Sequence, residues 1–152
     1  MIVRTGDFSD PQILALLREH LAGMHANSPP GSVYALGLSG LQRPDIAFLA
    51  LWDAADLLAI GALRELTPHT GEIKSMRTAQ AHLRKGAAAR LLEHMIGLAR
   101  TRGYTRVSLE TGSGDAFEPA LALYRKHGFR NGDAFGDYEA SAFNQFLHLE
   151  LA

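Results

Sequence analysis

The passage from Glu72 to Arg102 constrains this chain more than any other. A strand-like run, Gly71 to Thr78, passes through the charged loop at Arg84 and Lys85 into a segment of helical period from about Gly86 to Arg102. There Ala88, Leu91, Leu92, Met95 and Ala99 form one apolar face, and Gly103 stands at the C-cap position. A helix with one apolar stripe must lay it on a sheet or another helix, so this passage is the expected structural centre.

The rest of the chain supplies that sheet and its flanks. Ile2 to Arg4 suits a short first strand, and Asp10 followed by Pro11 opens a helix in which Ile13, Leu14, Leu17 and Leu21 face inward and Arg18, Glu19 and His20 face solvent. Asn27 to Gly31 reads as a loop, and Ser32 to Leu41 as a short helix despite Gly37 and Gly40. Ile46 to Trp52 and Leu57 to Leu66 flank Asp53-Ala54-Ala55-Asp56 as a hairpin, which Gly71 to Thr78 continues. Beyond the long helix, Arg106 to Thr111 reads as a strand, Phe117 to His127 as a helix closed by Gly128, and Asn144 to Leu151 as a last strand. Hairpins joining some strands and helices following others imply an α/β (α+β type) fold, a mixed sheet with helices on both faces. No linker or repeat divides residues 1–152, so one domain is expected.

Composition narrows the function. With 47% apolar and 20% charged residues the chain is ordinary for a globular protein, and a formal charge of −1 supplies no field for nucleic acid or an anionic membrane. The absence of cysteine excludes disulfides, thiolate zinc and a cysteine nucleophile, and fits a reducing cytoplasm. No apolar run approaches the ~20 residues needed to span a bilayer. The seven histidines form no H-E-x-x-H or comparable pair, so no metal is expected, and Gly37-Leu38-Ser39-Gly40 misses the spacing of a hydrolase nucleophile elbow.

What remains is an anion site. A helix start offers unpaired backbone N–H groups and about half a positive charge, so it suits a phosphate or pyrophosphate. Gly86, Ala87 and Ala88 leave that backbone open, with Leu83, Arg84 and Lys85 before them. Lys85 precedes Gly86 and no Ser or Thr follows, so this is not a Walker loop; G-x-G-x-x-G is also missing.

In this segment, Leu83-Arg84-Lys85-Gly86-Ala87-Ala88 followed by Leu91-Leu92, the chain resembles the GNAT superfamily of acyl-CoA-dependent N-acetyltransferases, whose signature Gln/Arg-x-x-Gly-x-Gly/Ala opens the long central helix. Leu83 departs from that pattern. Glu72 to Thr78 looks like the family's fourth strand, and Ala120 to Phe129 like its late helix, ending in Tyr-x-x-x-Gly-Phe. Gly71 to Leu121 also looks like a bacterial subgroup of small acetyltransferases.

The resemblance implies a mostly antiparallel sheet of about six to seven strands. It implies acetyl-CoA as co-substrate and direct acetyl transfer to a primary amine of a small molecule or peptide. Met76, Arg77 and Thr78 would hold the pantetheine arm and polarise the carbonyl, Leu83 to Ala88 would hold the pyrophosphate, and Phe117 and Leu121 would join Tyr124 among the cofactor contacts. Tyr124 would protonate the departing thiolate. Glu72, placed as the general base of histone-type members is placed, would deprotonate the amine, with Glu110 as the alternative base. On residue type alone Glu72 is equally a strand carboxylate paired with Lys74, and Tyr124 a core tyrosine. The acceptor is expected at Met24 to Arg43 and Gly132 to Phe143, where Asp133, Asp137, Tyr138 and Glu139 would suit a cation. A homodimer is compatible with the fold. The competing function is a non-catalytic acyl-CoA binding or interaction module.

Overall fold

The computed structural model describes residues 1–31 and 37–151. Seven strands form one sheet in the order β1-β2-β3-β4-β5-β7-β6. They are β1 (Ile2–Thr5), β2 (Ile46–Asp53), β3 (Asp56–Thr67), β4 (Thr70–Thr78), β5 (Arg106–Thr111), β6 (Arg130–Asn131) and β7 (Gln145–Glu150). All neighbours are antiparallel except β4 and β5. The helices are α1 (Pro11–Asn27), α2 (Leu38–Leu41), α3 (Ala87–Thr101) and α4 (Glu118–Lys126).

Two apolar layers cover the sheet. On one face Leu91, Leu92, Met95 and Ala99 of α3 and Leu121 and Tyr124 of α4 pack with Leu63, Ile73, Val107 and Leu147 of the strands. On the other, Ile13, Leu16 and Leu17 of α1 and Leu41 of α2 pack with Phe48, Ala50, Ile60 and Ala62. The alternation of β2 and β3 feeds both layers, which is why these strands read as continuous apolar runs. Helices therefore stand on both faces of a mixed, mostly antiparallel sheet, as the sequence implied.

The local chemistry explains most element ends. The Asp10 carboxylate accepts from the Gln12 N–H at 2.8 Å and Pro11 opens α1, so this helix has both a cap and a preset first φ. Gly103, at φ +80°, lies just beyond the end of α3.

Three expectations are corrected. The buried face of α1 is Ile13, Leu16, Leu17 and His20, rotated from the expected stripe, because α1 crosses over β4 and His20 meets Arg77 there. The expected helix over Ser32 to Leu41 spans Leu38–Leu41, and residues 32–36 lie outside the described residues. The sequence also missed β6, whose two residues are too few for any periodicity.

Candidate active site

The site begins where two strands part. β4 and β5 run parallel and pair only over Thr70 with Arg106, Gly71 with Val107 and Glu72 with Ser108. β4 continues to Thr78 and β5 to Thr111, so the facing edges of Lys74 to Thr78 and Leu109 to Thr111 have no strand between them among the described residues. Unpaired strand edges present rows of N–H and C=O groups to whatever enters the gap.

A bulge helps to open this gap. The pairing of β3 with β4 shifts between Ile60 and Ala62, and Ser75 opposite the shift holds φ +57°, a conformation that β-branched and bulky residues avoid. Past the bulge, Met76 packs toward α3 over Gly61, while Arg77 turns to the other face.

At the open end of the gap the chain turns into α3. Gly86 is the N-cap at φ +78°, which only glycine adopts without cost, and no side chain caps the helix. Arg84 also takes positive φ, +64°. The N–H groups of the first turn, at Ala87, Ala88 and Ala89, are thus left for a ligand or water. Leu83, 53% exposed, has no core role, and Arg84, Lys85 and Gly86 are exposed beside it. Lys85 Nζ lies 3.0 Å from His82 Nδ1.

Tyr124 lies on the α3 side of the sheet. It shares one packed cluster with Phe117, Leu121 and the α3 residues, and Met76 packs against that cluster. Its ring meets Phe129 edge to face at 5.8 Å between centroids. Burial pushes its phenol up to about 12, and its hydroxyl makes no hydrogen bond among the described residues. Phe117 contacts Phe143 in a T-shaped pair, and Leu121 is fully buried.

The opposite face is polar. Register places Arg64 opposite Glu72, Glu72 opposite Ser108, Ser108 opposite His148, and Glu110 opposite Phe146, so these side chains share one side of the sheet. Glu72 is 1% exposed: Oε2 accepts from Lys74 Nζ at 3.2 Å and from the Tyr138 hydroxyl, which also accepts from Lys74. The Lys74 ammonium stands 5.2 Å from the Tyr138 ring centroid. Arg64 Nη1 is 4.0 Å from Oε1 of Glu72, beyond hydrogen-bonding reach. Burial of Tyr138, with Glu72 beside it, raises its phenol far above the ordinary value.

Glu110 is the other carboxylate of this face. Burial raises it to about 7, against the opposing pull of Lys74 and a hydrogen bond from Asn144. It can therefore hold or release a proton near neutral pH.

The expected site residues thus fall on both faces of the sheet. Met76, Gly86 to Ala88 and Tyr124 lie toward α3 and α4, while Arg77, Glu72 and Glu110 lie toward α1. Tyr138, half-buried, and Asp137, exposed, also line this polar face; Asp133 and Glu139 are exposed as well, and Asp133 meets the face through its carbonyl, which accepts from Nε2 of His148 at 2.8 Å. Lys74, Ser75 and Arg64 were missed as site residues: a strand lysine and arginine carry no signal until register is known, and only backbone geometry marks Ser75. Among the described residues no group of His, Asp and Glu could hold a metal, and no helix is long and apolar enough to cross a membrane.

Residues 14–129 match the acetyltransferase (GNAT) family. The chain is 45% identical over 151 residues to the uncharacterized N-acetyltransferase YsnE of Bacillus subtilis, covering 99% of this chain and 100% of that one. It is 40% identical over 149 residues to the uncharacterized N-acetyltransferase YedL of Escherichia coli, covering 98% and 94%. Its fold also matches a GNAT family acetyltransferase from Elizabethkingia anophelis solved with acetyl-CoA bound, at a TM-score of 0.69, 17% identity, and coverage of 99% and 97%.

Proposed function

Because this chain belongs to the acetyltransferase (GNAT) family, we propose that it transfers the acetyl group of acetyl-CoA directly to a primary amine of a small molecule or peptide. The observation that carries this reading is the three-pair contact of β4 with β5, which leaves their facing edges free beyond Glu72 and Ser108, with an uncapped helix start after β4 and a buried tyrosine on the α3 side of the sheet. The diphosphate sits on the N–H groups from Gly86 to Ala89, with Arg84 and Lys85 adding charge. The pantetheine arm runs along the free edge of Met76, Arg77 and Thr78, where a main-chain N–H that faces the gap takes the thioester carbonyl oxygen as it gains charge. Phe117 and Leu121 back Tyr124 from the core.

The acceptor arrives from the polar face as an ammonium ion. It gives one proton to the Glu110 carboxylate, which passes it to solvent, and Glu72 orients the nitrogen through Oε1. Although Glu72 was the base expected from sequence, its engagement by Lys74 and Tyr138 favours Glu110 for proton uptake. The neutral nitrogen attacks the thioester carbon, the C–N bond forms, and collapse of the tetrahedral adduct breaks the C–S bond. Tyr124 gives its proton to the leaving thiolate and regains one from the nitrogen through solvent. The products are an N-acetyl amide, CoA thiol and one proton released.

Two assays test this. Acetyl-CoA should raise the melting temperature, and an amine panel should release free thiol continuously from acetyl-CoA. Binding without thiol release from any amine would leave only an acyl-CoA binding module, and absence of binding would overturn the reading altogether.

A further inference from the structure

On the polar face, beside the closed end of the gap, lies a cavity of about 560 Å³. Its walls carry the chemistry of a charged small molecule. Arg64, Lys74 and Arg106 line it with Glu72 and Asp137, and Phe135 and Tyr138 supply an aromatic side. One oxygen in this wall lacks a hydrogen-bond donor: Oε1 of Glu72 is buried with no hydrogen-bond partner among the described residues, and Arg64 Nη1 stands 4.0 Å from it. A buried carboxylate oxygen left in this state costs free energy that a donor on a ligand would recover.

We propose that this cavity holds the acceptor and that the acceptor is a small amino carboxylate. Its amine donates to Oε1 of Glu72, and its carboxylate takes guanidinium N–H groups of Arg64 and Arg106. This rests on the acetyl-transfer reading and names the substrate class of that site.

Three observations select the class. The wall holds three cations against two carboxylates, so a ligand that is only cationic, such as a polyamine, meets repulsion that a zwitterion does not. Lys74 is bound to Glu72 and Tyr138, but the two arginines keep donors to spare: Arg106 meets Glu150 through Nε at 2.6 Å, and Arg64 meets Asp45 through Nε at 3.3 Å. A guanidinium carries five N–H donors, and its forked nitrogens match a carboxylate. The order along β5 is also right, because Arg106 lies at the closed end and Glu110 at the open end, where the thioester must sit. An acceptor anchored by its carboxylate at Arg106 therefore directs its amine toward Glu72 and Glu110.

The reaction is the same acyl transfer, with acetyl-CoA and an amino carboxylate giving an N-acetyl amino carboxylate and CoA thiol. It is tested by titrating CoA-loaded protein with amino acids, each beside its carboxamide and its decarboxylated amine, and by thiol release from acetyl-CoA with the same panel. The expected result is at least one amino acid binding tenfold or more tighter than its two analogues and acetylated with the same preference. Arg106→Gln should remove that preference, and Arg106→Lys, which keeps the charge, should restore part of it. Analogues equal to or better than every amino acid, binding of none of the panel, or a preference unchanged in Arg106→Gln would overturn the proposal. Failure of the acetyl-transfer reading appears separately, as absence of CoA binding in the loading step or of thiol release with any amine.

Discussion

The Arg77 guanidinium on β4 donates through Nε to Nδ1 of His20 on α1 at 3.1 Å, and through Nη2 to the His20 carbonyl at 3.3 Å. The pair ties the helix of the polar face to the strand expected to hold the cofactor. Burial and the adjacent Arg77 charge push His20 down to about 4, so its ring stays neutral and can accept from Nε.

A pH dependence of stability follows. The folded pKa of His20 lies below its unfolded value of 6.5, so the unfolded chain takes up a proton first as pH falls. Stability present above pH 6.5 is lost progressively toward about 4, by at most about 3 kcal/mol. Urea unfolding of wild type and His20→Gln at pH 7 and pH 4.5 checks this. The wild type should lose more stability over the interval than the variant, which has no imidazole to titrate.

Gly61 sets the seat of Met76. A Cβ there would stand 2.6 Å from the Met76 sulfur and 3.0 Å from the Met95 sulfur, between β3 and α3. Gly61→Ala should destabilise the protein by about 1–3 kcal/mol through overpacking. It should also weaken acetyl-CoA binding by shifting the strand edge at Met76. Denaturant unfolding and a CoA titration measure the two effects, and a variant with wild-type values in both would show that Met76 has room to move.

Glu110 makes activity depend on pH. Its carboxyl, raised to about 7, must be ionised to accept a proton, so kcat/KM should climb as pH rises through about 7 and then level. In Glu110→Gln the climb near 7 should vanish and turnover should fall by about 10²–10⁴-fold. For stability the sign is opposite. A carboxyl raised from 4.5 in the unfolded chain to about 7 in the folded one stabilises the fold below pH 4.5, and that contribution is lost as pH rises through 7.

Much of this arrangement was legible in the sequence because it is local. The apolar face of α3, the glycine at its start and the Tyr-x-x-x-Gly-Phe run each lie within one element or at its junction, where period and spacing carry the information. The contacts that define the polar face are not local. Tyr138 reaches Glu72 across 66 residues and Arg77 reaches His20 across 57, through strand register and helix placement that no single segment encodes. His20 shows the consequence: its neighbours in sequence suggest solvent, while the strand beneath α1 buries it at 6% exposure. Lys74 likewise reads as an ordinary strand lysine until its pairing with Glu72 and Tyr138 is seen.

The core of α3 offers a check on the scaffold alone. Leu91, Leu92 and Met95 are fully buried against the strands on either side of the gap. Leu92→Ala should cost about 2–5 kcal/mol, read as a lower denaturation midpoint with an unchanged denaturant slope.

The central claim, that acetyl transfer runs through the gap between β4 and β5 with Tyr124 as its acid, is tested most directly by Tyr124→Phe. Steady-state thiol release and equilibrium binding of acetyl-CoA are measured on the same preparation, with an acceptor that the wild type turns over. The account predicts a fall in kcat of about 10²-fold or more with Kd for acetyl-CoA unchanged. Wild-type kcat in Tyr124→Phe would contradict it.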